Sequence, residues 1–283
     1  IETEIIEANG LLSAALGYPL RSPMLTLSTN DYDDFGNQVV GKNYGVYSDP
    51  SVDDERFTTT TYALAGEAFA RWIISKPASI RVTDELGRFV AQTNLYYDGA
   101  PFVGLAPGSI GNRALLHRAE SVVTGDAPIP PLIEQSNLPG DPRLPGKSIN
   151  VGRTQFDGFG NAIVQLDPLG NASSPSAGHT RQITYDSQFN TYPVEERIYV
   201  GNSEPDLVMS AGYDPGFGIV TSSTDFNGNV TTYEYDSFAR LVAIIKPSDS
   251  VAHPTALFQY LPADPTRARL YIYDRAGNLT LDS

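Results

Sequence analysis

Along most of the chain, apolar and polar positions alternate with a period of two in short runs, and Asp-led turns interrupt the runs every ten or eleven residues. In "NVTTYEYD" the pattern puts Thr231, Tyr233 and Tyr235 on one face and Val230, Thr232 and Glu234 on the other. In "ARLYIYD" Leu270 and Ile272 oppose Tyr271 and Tyr273. Asp157 to Asp167 is 10 residues, and Asp214 to Asp225 and Asp225 to Asp236 are 11 each. That interval holds one strand of roughly 6 residues and a turn, too little for a helical repeat. The pattern predicts an all-β chain built as an antiparallel hairpin meander.

The turns repeat a signature. "YDDFGNQVV" (32–40) returns as "FDGFGNAIVQ" (156–165), "LDPLGNAS" (166–173), "YDPGFGIVT" (213–221), "TDFNGNVTT" (224–232), "YDSFARLVAI" (235–244) and "YDRAGNLTL" (273–281), with weaker copies at 83–91 and 185–194. Each reads aromatic-Asp, two or three residues, Gly-Asn or an equivalent, then a β-rich run. Asp accepts hydrogen bonds from N–H groups just ahead of it, and Gly and Asn tolerate the positive φ of tight hairpins. The candidate structural turn residues are therefore Asp33, Gly36, Asn37, Asp157, Gly160, Asn161, Asp167, Gly170, Asn171, Asp214, Asp225, Gly228, Asn229, Tyr235, Asp236, Tyr273, Asp274, Gly277 and Asn278.

One segment competes with this reading. "TYALAGEAFARWIIS" (61–75) contains good helix formers and could line Leu64, Ala68 and Trp72 along one helical face, but propensity is a weak guide, and a strand is expected there. Residues 1–122 and 150–283 share the repeat style. Between them, "VTGDAPIPPLIEQSNLPGDPRLPGKS" within 123–149 is dense in Pro and Gly and reads as a loop inserted in one continuous sheet rather than a domain boundary.

Composition narrows function. The 283 residues carry 25 Gly, 21 Pro, 16 Tyr and 12 Phe, which suits many short strands and turns. A formal charge of −14 argues against nucleic acid and against an anionic membrane surface as partners. The chain has no cysteine, so disulfides and thiolate metal sites are excluded. No apolar run approaches the length of a membrane span, no signal peptide is visible, and the start at Ile rather than Met points to a piece of a longer protein.

Chemical alternatives are thin. Asp225, Asn227, Asn229, Thr231 and Asp236 fall at positions 1, 3, 5, 7 and 12 of a calcium loop, but Gly228 stands at 4 instead of 6, and turn capping accounts for the same residues. His117, His179 and His253 lie far apart without companion ligands. Asp53, Asp54 and Glu55, and the pair Glu195 and Glu196, are adjacent in sequence, so on strands neighbouring carboxylates face opposite ways. No nucleophile elbow, dinucleotide fingerprint or phosphate loop is present. No enzyme activity, metal or cofactor is expected. The tyrosines serve either as cross-strand stacking partners or as an exposed surface of a glycan- or protein-binding module at a cell surface, and exposure decides between the two.

The repeat units resemble the tyrosine-aspartate (YD) repeats of Rhs proteins, Tc insecticidal toxins and teneurins. "LGYPLRSPMLTLSTNDYDDFGNQVVGKNYG", "RFTTTTYA", "VTDELGRFV" and "TNLYYDGAPFVGL" are similar to the middle region of the Tc toxin B component and of SpvB-like proteins, and "VTSSTDFNGNVTTYEYDSFARLV" to the repeat pattern of the same group. The resemblance implies a curved or spiralling sheet forming an arc of a hollow shell. It further implies a noncatalytic role in a secreted, extracellular toxin, as a wall around a cytotoxic C-terminal cargo. The implied partners are the rest of the shell, the enclosed toxin segment and a pore-forming component.

Overall fold

A computed structural model describes residues 2–6, 25–46, 55–64, 66–122, 148–261, 264–274 and 277–282. The chain divides into two compact units, residues 1–155 with 167–169, and residues 156–166 with 170–283. The Pro- and Gly-rich stretch expected as an inserted loop lies outside the described residues up to position 147, and its last two positions already belong to a strand.

The first unit holds β1 (Glu2–Ile6), β2 (Leu25–Tyr32), β3 (Gln38–Val46), β4 (Arg56–Tyr62), β5 (Pro77–Thr83), β6 (Phe89–Tyr97), β7 (Leu116–Val122) and β8 (Ser148–Phe156). Each is antiparallel to the next. The second holds β9 (Ala162–Leu166), β10 (Thr180–Tyr185), β11 (Pro193–Tyr199), β12 (Leu207–Asp214), β13 (Ile219–Thr224), β14 (Val230–Tyr235), β15 (Leu241–Ile245), β16 (Ala256–Leu261), β17 (Asp264–Tyr273) and β18 (Leu279–Asp282), again paired in sequence order. The molecule is all-β, and within each unit the described strands form an antiparallel meander in which consecutive strands are neighbours.

The strand expected across 61–75 is corrected. β4 stops at Tyr62, and Gly66–Ala70 forms a short helix, α1. Burial decides the outcome: Ala63 and Ala68 drop into the one sizeable apolar cluster of the first unit, with Ala78, Tyr97 and Ile110, and Ile73, Leu95 and Ala114 pack around it. Small residues let the loop lie close on the sheet, a tertiary gain that periodicity cannot report.

The second unit has almost no core of this kind. Among its described residues the buried apolar side chains are Leu166, Ile183, Ala243 and Ala256. Along β13 every residue is half-buried, and on β14 both faces are partly covered, so alternation in sequence does not translate into one buried and one wet face. Strand pairing and the corners therefore carry more of the stability here than packing does.

Candidate functional site: the corners and tyrosines of one sheet edge

The repeated corner is a type I turn closed by a residue in the left-handed region. At the first, Asp33 N–H donates to Asn37 O at 2.9 Å and Gly36 N–H to Asp33 O at 3.1 Å, with Gly36 at φ +83°. The same pair of bonds closes the corners at Asp84, Asp157, Asp225, Asp236 and Asp274. The left-handed position is Gly87, Gly160, Gly228 and Gly277 at four of them, and Ala239 at the Asp236 corner.

The Asp side chain fixes the corner from inside. Asp33 Oδ1 accepts from Phe35 N–H at 2.9 Å and Asn37 N–H at 2.8 Å, and Asn37 Nδ2 donates to Asp33 Oδ2 at 2.9 Å. Asn161 on Asp157, Asn229 on Asp225 and Asn278 on Asp274 repeat this at 2.9, 3.0 and 2.9 Å. Asn37, Asn161, Asn229 and Asn278 are not in the left-handed region. Asn serves here as a side-chain donor, and Gly alone supplies the positive φ. That explains why Arg can replace Asn: Arg240 Nε reaches Asp236 Oδ2 at 2.8 Å, and Arg88 makes the equivalent bond to Asp84.

These donors hold the carboxyls below their ordinary range, through the side chain of Asn37 at Asp33, Asn229 at Asp225 and Arg240 at Asp236. At Asp186 burial pushes upward, but backbone N–H groups of Tyr192, Thr191, Phe189 and Gln188 prevail and bring the pKa to about 2. Two corners vary the scheme. Asp214 Oδ1 takes Gly216 N–H at 2.8 Å, and Gly218 N–H closes the longer loop onto Asp214 O at 2.8 Å. Asp98 reaches forward to Gly111, Ala114 and Leu115 N–H at 2.9 to 3.1 Å, tying down a long loop.

The copy at 166–173 takes another course. Asp167 Oδ1 accepts from Leu169 N–H at 2.9 Å and Asn171 Oδ1 from Ser173 N–H at 2.9 Å, and the chain then enters a 3-10 helix at Pro175–Ala177. Gly170 is not left-handed; a Cβ there would stand 2.5 Å from His179 O, so its glycine answers a close approach of backbone.

The Tyr of the signature has a distinct task. The register slips by one residue at the corners led by a tyrosine, Tyr32 pairing with Gln38 past Val39, Tyr62 with Pro77 past Ala78, Tyr185 with Pro193 past Val194, Tyr213 with Val220 past Thr221, and Tyr235 with Leu241 past Val242, while the Asp225 corner pairs without a slip. Such bulges disrupt the hydrogen-bond ladder. The next tyrosine along the same edge donates its hydroxyl to the carbonyl just before the slip. Tyr62 reaches Gln38 O at 3.0 Å and Tyr97 reaches Pro77 O at 2.9 Å in the first unit. Tyr213 reaches Pro193 O at 3.2 Å, Tyr235 Val220 O at 2.8 Å and Tyr260 Leu241 O at 3.1 Å in the second. Because strands alternate in direction, all these tyrosines end strands that run toward one edge of their unit. The opposite edge carries Thr83 and Thr224 before its Asp, along with Tyr273.

Corners on one edge also touch. Asn37 Nδ2 donates to Ile74 O at 2.9 Å and Asn161 Nδ2 to Asn190 O at 2.6 Å. Tyr192 stacks on Tyr213 with centroids 5.0 Å apart, and the Arg240 guanidinium lies 4.2 Å from the Tyr260 ring centroid.

Several further polar groups among the described residues are committed to structure. Tyr96 donates to Glu120 Oε2 at 2.5 Å under the Arg118 guanidinium, and burial followed by that bond pushes its pKa up to about 12. His117, buried, meets Thr154 O at 2.9 Å. A polar cleft of about 480 Å³ on the second unit is lined by Asp225, Asn229, Lys246, Asp249, Thr255 and Tyr273. Its two carboxylates are held by Asn229 and by the Thr255 hydroxyl. Among the described residues no three His, Asp or Glu side chains come together as a metal site, and no helix is long and apolar enough to cross a membrane.

Sequence reasoning missed the acceptors of the tyrosine hydroxyls and the reach of Asp98, which lie 13 to 24 residues away from their partners. Their one sequence signal is Tyr recurring before Asp at alternate corners.

No protein-family model matches the chain, and no curated protein matches it. Solved structures do. The chain superposes on the TcdB2-TccC3 crystal structure with a TM-score of 0.60 at 14% identity, covering 99% of this chain and 18% of that one. On TcdB2-TccC3 without its hypervariable C-terminal region the TM-score is 0.56 at 13% identity, covering 99% and 14%. On the Photorhabdus luminescens Tc holotoxin pore it is 0.52 at 15% identity, covering 89% and 14%. The chain thus spans less than a fifth of the proteins it is similar to, and what it shares with them is the fold.

Proposed function

We propose that this chain is a noncatalytic stretch of the wall of a YD-repeat shell, of the kind built into secreted toxins, and that the complete wall encloses a cytotoxic C-terminal segment delivered through a pore-forming partner. The observation that carries this reading is the second unit: a run of ten strands in which, among the described residues, the hydrophobic core amounts to Leu166, Ile183, Ala243 and Ala256. A sheet so poor in core must be held by its pairing and its corners, and that is the economy of a wall rather than of a ligand-binding globule. The fold shared with Tc toxin chains supports it. So do Tyr213 and Tyr235, whose hydroxyls donate to the backbone carbonyls of Pro193 and Val220.

The test is protease protection of whatever segment follows this chain in its complete polypeptide. A shell wall predicts that the segment resists protease in the intact protein and is digested once the sheet is opened by Asp236→Ala with Tyr235→Phe. Digestion at the rate of the isolated segment would refute containment. A glycan array gives the independent check, and saturable binding that the Tyr235→Phe variant retains while Tyr233→Ala loses would move the assignment to a recognition module.

A further inference from the structure

The corners of the second unit that carry the tyrosine edge also carry a row of exposed aromatic rings. Phe159 is 70% exposed, Phe189 49%, Phe217 61% and Phe238 76%. Each immediately precedes the left-handed residue of its corner, Gly160, Asn190, Gly218 and Ala239, so the four rings leave the backbone from equivalent geometry. Corners on one edge are two strands apart, about 9.5 Å before twist, so the rings form an evenly spaced row. At the opposite edge the residue before Gly228 is Asn227, and its turns carry Glu204, Asp206, Lys246 and Asp249. The opposite edge exposes Phe226 and Val251 as well, but Phe226 stands two positions before its left-handed Gly228, and among the described residues no aromatic recurs at the position just before it there.

Exposed rings in a regular row mark an interface, and the turns behind them show what suits this one. Every Asp behind the row is already engaged by its own turn: Asp157 by Asn161, Asp186 by four backbone N–H groups, Asp214 by Gly216 and Phe217, Asp236 by Arg240. Covering the rings therefore strands no carboxylate. The chain also shows how its corner rings are met, since Phe35 in the first unit is approached edge-on by Phe69 at 5.7 Å and Trp72 at 6.4 Å from the next corner of the same edge. A row with a fixed rung spacing is commensurate with a second row of the same spacing turned about a two-fold axis.

We propose that this aromatic edge docks on the same edge of a second copy of the chain, antiparallel, with Phe159 facing Phe238 of the second copy and Phe189 facing Phe217. Four rings exposed by half to three quarters contribute roughly 500 Å² per copy, about 1,000 Å² in all, which is the threshold of a specific but weak interface. Each copy carries −14, so association strengthens as salt screens the repulsion.

Because the chain has no cysteine, an introduced thiol is unique. In the full chain, Phe159→Cys mixed with Phe238→Cys should cross-link through a short bis-maleimide, as should Phe189→Cys mixed with Phe217→Cys, while each single variant alone cross-links far less. Sedimentation equilibrium should show a monomer–dimer equilibrium that tightens between low and high salt. The Phe159→Ser, Phe217→Ser and Phe238→Ser triple variant should weaken it at least tenfold with an unchanged far-ultraviolet spectrum. A chain that stays monomeric at every concentration and salt level overturns the proposal. So does a dimer untouched by the triple variant, cross-linking that is equal within single variants, or rings that instead carry the chain onto zwitterionic lipid vesicles.

Discussion

At the scale of single residues, the corner separates conformational need from hydrogen-bond need. Gly228 sits at φ +78° with nothing within 4 Å of the position a Cβ would take, so a substitution there meets backbone strain and no clash. Gly228→Val should lower stability by about 1–3 kcal/mol, whereas Gly228→Asn, whose side chain tolerates that conformation, should cost far less. A pair of urea titrations measures the difference, and equal midpoints would show that this corner does not depend on left-handed backbone. The tyrosine hydroxyl is tested as cleanly. Tyr235→Phe keeps the ring and removes the donor to Val220 O, and it should cost about 0.5–1.5 kcal/mol; a Tyr233→Phe control loses a contact with a side-chain hydroxyl, Ser223, and should cost less.

At the scale of the hairpin, the paired roles of Asn and Arg predict which exchanges are tolerated. Arg240→Asn should retain most of the stability at the Asp236 corner, since Asn makes the same donation at Asp225, while Arg240→Leu should not; thermal melts of the two variants decide it. The corners also set the pH range. Asp33, Asp186, Asp225 and Asp236 have folded pKa values below the unfolded one, so their contribution is present above about pH 4 and is lost as pH falls through the folded values, toward 2 at Asp186. Tyr62, Tyr96, Tyr97, Tyr213 and Tyr235 are raised, chiefly by burial, so their contribution is present below about pH 10 and is lost as pH climbs through the folded values, near 12 at Tyr96. Denaturation midpoints against pH should form a plateau between 4 and 10 with a fall on each side. Asp225→Asn should soften the acid limb, and an acid limb that is identical without Asp225 would remove its carboxylate from the account.

The hairpin scale also shows what the sequence could tell. Corners were legible because their chemistry is local: Asp, the left-handed Gly and the side-chain donor lie within five positions, as at Asp225 to Asn229. The α1 segment was not legible, since Ala63 and Ala68 are chosen by a cluster that includes Tyr97 and Ile110, 29 to 47 residues further along the chain. Nor was the task of Tyr62 or Tyr235, whose acceptors lie 24 and 15 residues back, across a register slip that no spacing rule announces. The divergent copy at Asp167 carries the Asp, Gly and Asn of the signature yet folds otherwise, with Gly170 packed close to His179 O in place of a positive φ.

At the scale of the molecule, the central claim is that the meander holds itself by pairing and corners without a filled core in its second unit. Small-angle X-ray scattering on the purified chain, extrapolated to infinite dilution, tests this most directly. A compact 283-residue globule has a radius of gyration of about 19 Å. A sheet held by pairing and corners gives a clearly larger value from a folded chain. A value at the compact limit would mean that the strands close over a core of their own, and the wall reading would fall.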